Sequence, residues 1–151
     1  MRHVPFIPQL EVAECGAASL AMVLAYHGHH APLAEVRERC SVSRDGTNAY
    51  DILDTAKRYG LDTDAVRAEA DDLRLLPLPA ILHWQGRHFV VLERATRSGA
   101  VIVDPGGGVA RLTRRELDEA FSGIALLFAP GADFQRREDE SGSVRRRVRI
   151  L

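Results

Sequence analysis

Residues 9–24 read QLEVAECGAASLAMVL and place Cys15 where a loop gives way to a helix. From about Glu14 to His27 the residues are small and apolar on nearly every side, and Gly28 supplies a left-handed C-cap. The pattern predicts a buried helix that starts near a cysteine. Cys15 is then either one more small core residue or a nucleophile, because unpaired N–H groups and the helix dipole favour a thiolate there.

Two further helices are predicted in the first sixty residues. One starts at Pro32 and continues through LAEVRERC, which puts Cys40 on its apolar face and therefore in the core. The other, AYDILDTAKRY, has Asn48 as its N-cap and ends before Gly60. The N-terminal half of the chain is therefore predicted to be helical.

The second half of the chain has the pattern of an antiparallel sheet. Short apolar or alternating runs are separated by the turn sequences QGR, TRSG and PGGG; the runs are PAILHW, HFVVLERA, AVIVD, GVARL and IALLFA. Thr113 and Glu116 form a capping box, which predicts one short helix before the last run. Helices followed by strands indicate an α+β domain with two halves and a site in the cleft between them.

Composition limits the classes of function. The 151 residues, 46% hydrophobic and 27% charged, suit one globular domain with a sizeable core, and the net charge of -1 argues against a nucleic-acid partner. No apolar run approaches the roughly 20 residues that span a bilayer, and no signal peptide is recognisable. Two cysteines suggest neither a disulfide scaffold nor a metal site, so we expect a soluble domain in a reducing, cytosolic setting, with no metal or cofactor.

The composition changes near the C-terminal end. After Pro130 the chain reads GADFQRREDESGSVRRRVRIL, with blocks of opposite charge and few large apolar residues. We therefore predict one folded domain over residues 1–132 and a charged linker over 133–151. The basic residues from Arg145 to Leu151 fit either a solvated tail or a segment beside an anionic membrane surface.

A nucleophilic thiol needs an imidazole within hydrogen-bonding distance. The histidines at 27, 29 and 30 lie more than ten residues from Cys15 at the far end of the same helix, which is too distant, and we expect them on the surface. His3 precedes the proline-rich entry, and His83 lies within a strand beside Trp84, where packing is the favoured role. His88 starts the strand HFVVLERA after the turn QGR, where it can face a cleft. It is the favoured base.

The base needs an orienting group, and the oxyanion needs hydrogen-bond donors. If HFVVLERA and AVIVD pair across TRSG, His88 comes close to Asp104, although an Asp before Pro105 also commonly starts a turn. Gln9 is the candidate side-chain donor to the oxyanion, beside the backbone N–H of Cys15, although a loop glutamine is usually only solvated. Gly16 would let a substrate backbone approach closely.

The order Gln9, Cys15, His88, Asp104 resembles that of the papain-like cysteine peptidases. The stretches QLEVAECGAASLAMVL, HFVVLE and VIVDPGGG resemble the N-terminal peptidase domain of bacteriocin-processing ABC transporters, over roughly residues 4–130. ECGAASLAMVLAYHG, CSVSRDGTNA and LTRRELDEAFSG further resemble the branch that accompanies lanthipeptide and nitrile-hydratase-like leader peptides.

The resemblance implies a papain-like fold and a defined set of roles. Cys15 would be the nucleophile, and His88 the general base and then the general acid. Asp104 would orient His88, where papain has an amide, and Gln9 would donate to the oxyanion. The helical half would carry the cysteine at a helix N-terminus, and the antiparallel sheet half would carry the histidine and the aspartate.

The resemblance also implies a substrate and partners. Such domains cut a ribosomally made precursor after a double-glycine-type motif (Gly-Gly, Gly-Ala or Gly-Ser), whose amphipathic leader helix docks in an apolar groove. The transmembrane and ATP-binding domains of an ABC transporter would continue the same chain, which places the peptidase at the cytoplasmic face of the cell membrane. Two alternatives stay open: a catalytically silent docking module that binds an export substrate, and a stand-alone cysteine amidase.

Overall fold

The computed structural model describes residues 2–44 and 46–140. The α-helices in this part of the chain are α1 (Cys15–Tyr26), α2 (Leu33–Arg39), α3 (Ala49–Arg58) and α4 (Arg114–Ala120). The strands are β1 (Leu61–Arg67), β2 (Ala80–Trp84), β3 (His88–Ala95), β4 (Gly99–Asp104), β5 (Gly108–Thr113) and β6 (Phe121–Pro130). Two 3-10 helices, Val12–Glu14 and Ala70–Leu75, precede α1 and β2.

The three helices predicted for the N-terminal half are confirmed. Every residue of α1 from Cys15 to Ala25 is buried, as its small apolar sequence predicts, and Gly28 follows with a φ of 94°. The Asn48 side chain caps α3 by accepting the backbone N–H of Asp51. These local signals are sufficient to place the helices because each one depends on residues close in sequence.

The second half forms one antiparallel sheet with the strand order β1-β6-β2-β3-β4-β5. The five predicted strands and the capping box of Thr113 with Glu116 at the start of α4 are confirmed. Strand β1 was not predicted, because in LDTDAVR only Leu61 is buried and the strand depends on its pairing with β6.

The sheet separates two hydrophobic clusters. The residues of one face pack against the N-terminal helices and include Ile81, Val91, Val103 and Leu126. Those of the other face pack against α4 and the second 3-10 helix and include Leu82, Val90, Ile102 and Ala125. This arrangement packs α1 against β3, the strand that begins with His88.

Residues 133–137 continue to pack on the helical half. Arg137 exchanges backbone hydrogen bonds with Gly28 and His30, at 3.0 and 2.9 Å, and its guanidinium binds the carboxylate of Glu35 at 2.8 and 2.9 Å. Phe134 packs against the core. The first residues of the predicted linker 133–151 are therefore part of the packed domain, and residues 141–151 of that prediction lie outside the described residues.

None of the helices described is long and apolar enough to cross a bilayer.

Candidate active site

Cys15 is the first residue of α1 and directly follows the 3-10 helix Val12–Glu14. Its exposed fraction is 9%, whereas Ala17, Ala18 and Leu20 further along the helix have none. Cys15 therefore keeps a small exposed fraction at the N-terminal end of α1, ahead of a continuous buried stretch from Gly16 to Ala25. Cys40, in contrast, is 1% exposed in the core, as predicted.

His88 and Asp104 meet at the ends of neighbouring strands. The β3–β4 register pairs Val91 with Val103, so the first residue of β3 lies diagonally across from the last residue of β4. His88 Nε2 donates a hydrogen bond of 2.8 Å to Asp104 Oδ1. The predicted hairpin therefore brings the imidazole and the carboxylate together.

The thiol of Cys15 acts on the same imidazole. The pKa of His88 reflects a hydrogen bond with the Cys15 side chain in addition to the one that Nε2 makes with Asp104. The hydrogen bond with Cys15 is the largest cause that raises the pKa of His88 to about 9, against burial, which lowers it; the hydrogen bond and the charge of Asp104 add to the rise. Protonated at neutral pH, His88 is a suitable partner for a thiolate.

Asp104 also shapes the turn that follows it. Its Oδ1 accepts the backbone N–H of Gly106 at 2.8 Å, and its carbonyl accepts that of Gly107 at 3.0 Å. Turn formation and contact with His88 were alternatives for this residue in the sequence, and the structure combines them. The turn fixes the carboxylate that holds the imidazole.

Gln9, in the segment before the first 3-10 helix, packs against the same turn. Its backbone N–H donates to the carbonyl of Pro105 at 2.9 Å, and its side-chain Oε1 is buried without a hydrogen-bond partner among the described residues. A Cβ atom on Gly106 would lie 3.6 Å from Gln9 Cδ. The turn after Asp104 therefore connects Gln9 to the group formed by Asp104, His88 and Cys15.

Gly16 has a role different from the one expected. A Cβ atom there would lie 2.5 Å from Thr47 Cγ2 and 2.9 Å from Ile52 Cδ1. The missing side chain lets α1 pack closely against α3 and the segment before it. The expectation that Gly16 makes room for a substrate backbone is therefore wrong.

One further polar residue at this site was not predicted. Glu14, directly before Cys15, is buried, and its carboxylate accepts the backbone N–H groups of Leu10 and Glu11. The sequence contains a signal for it, since Glu11 and Glu14 have the spacing of a capping box before a helix. Glutamate is an uncommon first member of that motif, so the pattern is easily overlooked.

The remaining histidines pack elsewhere. The ring of His83 lies 5.3 Å from that of Phe89, which confirms a packing role. At the far end of α1, His27 and His29 were expected on the surface but are half-buried, because Phe134 packs beside both rings.

A thiol at the start of a buried helix, joined through an imidazole to a carboxylate of the sheet half, defines a cysteine peptidase domain of the papain type. The chain belongs to the Peptidase C39 family, whose family model matches residues 3–133.

Similar proteins of known role are larger than this chain. The colicin V secretion/processing ATP-binding protein CvaB of Escherichia coli is 40% identical over 134 residues, which cover 89% of this chain and 19% of CvaB. The transport/processing ATP-binding protein ComA of Streptococcus pneumoniae is 32% identical, with coverage of 99% of this chain and 22% of ComA. The chain thus spans about a fifth of the length of these relatives.

Solved structures agree with the fold. The crystal structure of a double glycine motif protease from an AMS/PCAT transporter, in complex with the leader peptide, is 46% identical with a TM-score of 0.82; the match covers 85% of this chain and 93% of that one. The peptidase domain of Streptococcus ComA is 28% identical with a TM-score of 0.79, over 85% of this chain and 99% of that one. The predicted family resemblance and papain-like α+β fold are confirmed.

Proposed function

We propose that this chain is a cysteine endopeptidase that removes the leader from ribosomally synthesised bacteriocin or lanthipeptide precursors after a double-glycine-type motif. The observation that carries the proposal is the hydrogen-bonded series Cys15–His88–Asp104, in a fold that matches a double glycine motif protease with its leader peptide bound.

The contacts support a specific order of steps. The Cys15 thiolate attacks the carbonyl carbon of the last leader residue, and the Gln9 side-chain amide and the Cys15 backbone N–H stabilise the oxyanion. The His88 imidazolium then gives its proton to the departing amine, which leaves the leader as a thioester on Cys15. Water attacks the thioester with His88 as general base, while Asp104 holds the ring by its bond to Nε2.

The relatives support a setting for this reaction. CvaB and ComA are secretion or transport ATP-binding proteins with a processing role, and this chain matches about a fifth of each. In the proposed setting the peptidase works beside the transmembrane and ATP-binding domains of an ABC transporter, at the cytoplasmic face of the cell membrane. Cleavage is then coupled to export of the mature peptide.

Mass spectrometry of a precursor with a double-glycine leader, after incubation with the chain, tests the proposal. We expect two products, with the cut directly after the second residue of the double-glycine-type motif. Cys15→Ala should give no products but should still bind the leader, because the thiol is not needed for docking. An uncut precursor that still binds would instead indicate a docking module. Equal cleavage of a substrate without its leader helix would indicate a stand-alone amidase.

A further inference from the structure

Glu14 is a buried carboxylate directly beside the proposed nucleophile. The residue is 4% exposed. Its Oε1 accepts the backbone N–H of Leu10 at 2.9 Å and that of Glu11 at 2.7 Å. Its Oε2 lies 3.3 Å from Nε of Arg37 on α2, as an ion pair.

A carboxylate is retained in such a place only when its partners compensate for the lost hydration. Here the partners are two consecutive backbone N–H groups and one guanidinium, which also lies 3.3 Å from the carboxylate of Glu11. These contacts join Glu14, the residue before α1, to residues 10–11 and to α2. The Glu14 side chain therefore fixes the loop that precedes the first 3-10 helix.

Gln9 lies at the start of the loop that Glu14 fixes. Its own N–H is held by the carbonyl of Pro105, and the next two N–H groups along the chain are held by Glu14. We infer that Glu14, anchored by Arg37, is a positioning residue that sets the Gln9 amide for the oxyanion. This inference rests on the role of Gln9 in the proposed function.

The physical requirement is one of distance. An oxyanion donor must lie about 2.7–3.1 Å from the position that the oxygen reaches in the transition state. A misplacement of about 1 Å can lower the rate roughly 10²-fold. Because the interaction forms only in the transition state, its loss lowers kcat and leaves KM nearly unchanged.

The kinetic test compares Glu14→Ala with Glu14→Gln and with Glu38→Ala, which removes an exposed carboxylate from α2. With the precursor as substrate, Glu14→Ala is expected to lower kcat roughly 10- to 100-fold at unchanged KM. Glu14→Gln keeps an acceptor oxygen for the two N–H groups, so its kcat should fall less. The kcat of Glu38→Ala should match that of the wild type. In a chain that already carries Gln9→Ala, adding Glu14→Ala should lower kcat by less than about threefold, because the amide that Glu14 positions is absent. Full additivity of the two losses would overturn the inference.

A second measurement does not depend on catalysis. Amide hydrogen exchange of Leu10 and Glu11 should accelerate in Glu14→Ala, while the amides of α1 keep their protection. Unchanged exchange at these two amides would overturn the inference even if activity fell. If the wild-type chain left the precursor uncut, the proposed function would fail, and the exchange result would still decide whether Glu14 fixes the loop.

Discussion

Replacing Asp104 by Asn tests the electrostatic link between the sheet half and the nucleophile. The pKa of His88 is raised from 6.5 to about 9, first by its hydrogen bond with Cys15 and then by the hydrogen bond and charge of Asp104. Asn can still accept a hydrogen bond from Nε2 but carries no charge. The imidazolium is therefore less favoured in the variant, and the pKa of His88 falls.

The size of the effect follows from the bond that changes. A hydrogen bond to a charged group contributes about 1.5–3 kcal/mol and a neutral one about 0.5–1.5, so the loss is about 1–1.5 kcal/mol, which corresponds to a pKa shift of about one unit. The side chains of His88 and Asp104 keep 23% and 29% exposure, so solvent screening works against a larger shift.

The assay is kcat/KM for precursor cleavage between pH 6 and 10.5. Activity needs the protonated ring, so it declines as the pH rises through the pKa of His88, near 9 in the wild type. With Asp104→Asn the decline should begin about one pH unit lower. The control Glu119→Gln removes an exposed carboxylate from the cleft that Asp104 also lines, and it should leave the pH of the decline unchanged. An unmoved or raised alkaline limit in Asp104→Asn would refute the reasoning.

Three further outcomes are expected. Iodoacetamide near neutral pH should label Cys15 much faster than Cys40, which is 1% exposed and whose pKa is raised by burial; equal rates would contradict an activated thiol. Gly16→Ala should destabilise the fold by about 1–3 kcal/mol in denaturant unfolding, because its Cβ would lie 2.5 Å from Thr47 Cγ2, whereas Gly107→Ala adds a Cβ only at an ordinary contact of 3.8 Å. Leucine in place of either glycine of the cleavage motif should slow turnover if a narrow channel selects glycine; equal rates would refute that channel.

Local sequence signals were enough for much of the fold. The caps at Asn48 and Thr113 depend on residues within one helical turn, and both helices begin where those signals place them. The turn TRSG aligns β3 with β4, which was sufficient to bring His88 to Asp104.

Features set by distant parts of the chain could not be predicted in this way. Strand β1 exists because β6 pairs with it, and the steric need for Gly16 arises from Thr47, 31 positions away in sequence. Arg137 lies in the stretch predicted as a charged linker, and its bonds to Glu35 and to Gly28 and His30 after α1 depend on residues far away in sequence. Glu14 was missed for another reason: its bonds to Leu10 and Glu11 are local, but glutamate is an uncommon first member of a capping box.

The thioester intermediate tests the central claim most directly. The chain is mixed with precursor, quenched in acid during turnover and digested with an acid-active protease, and the fragments are mapped by mass spectrometry. The account predicts the leader, ending in its double-glycine-type motif, joined through sulfur to the fragment that contains Cys15 and released by hydroxylamine. A leader attached to any other residue, or cleavage that continues in Cys15→Ala, would contradict it.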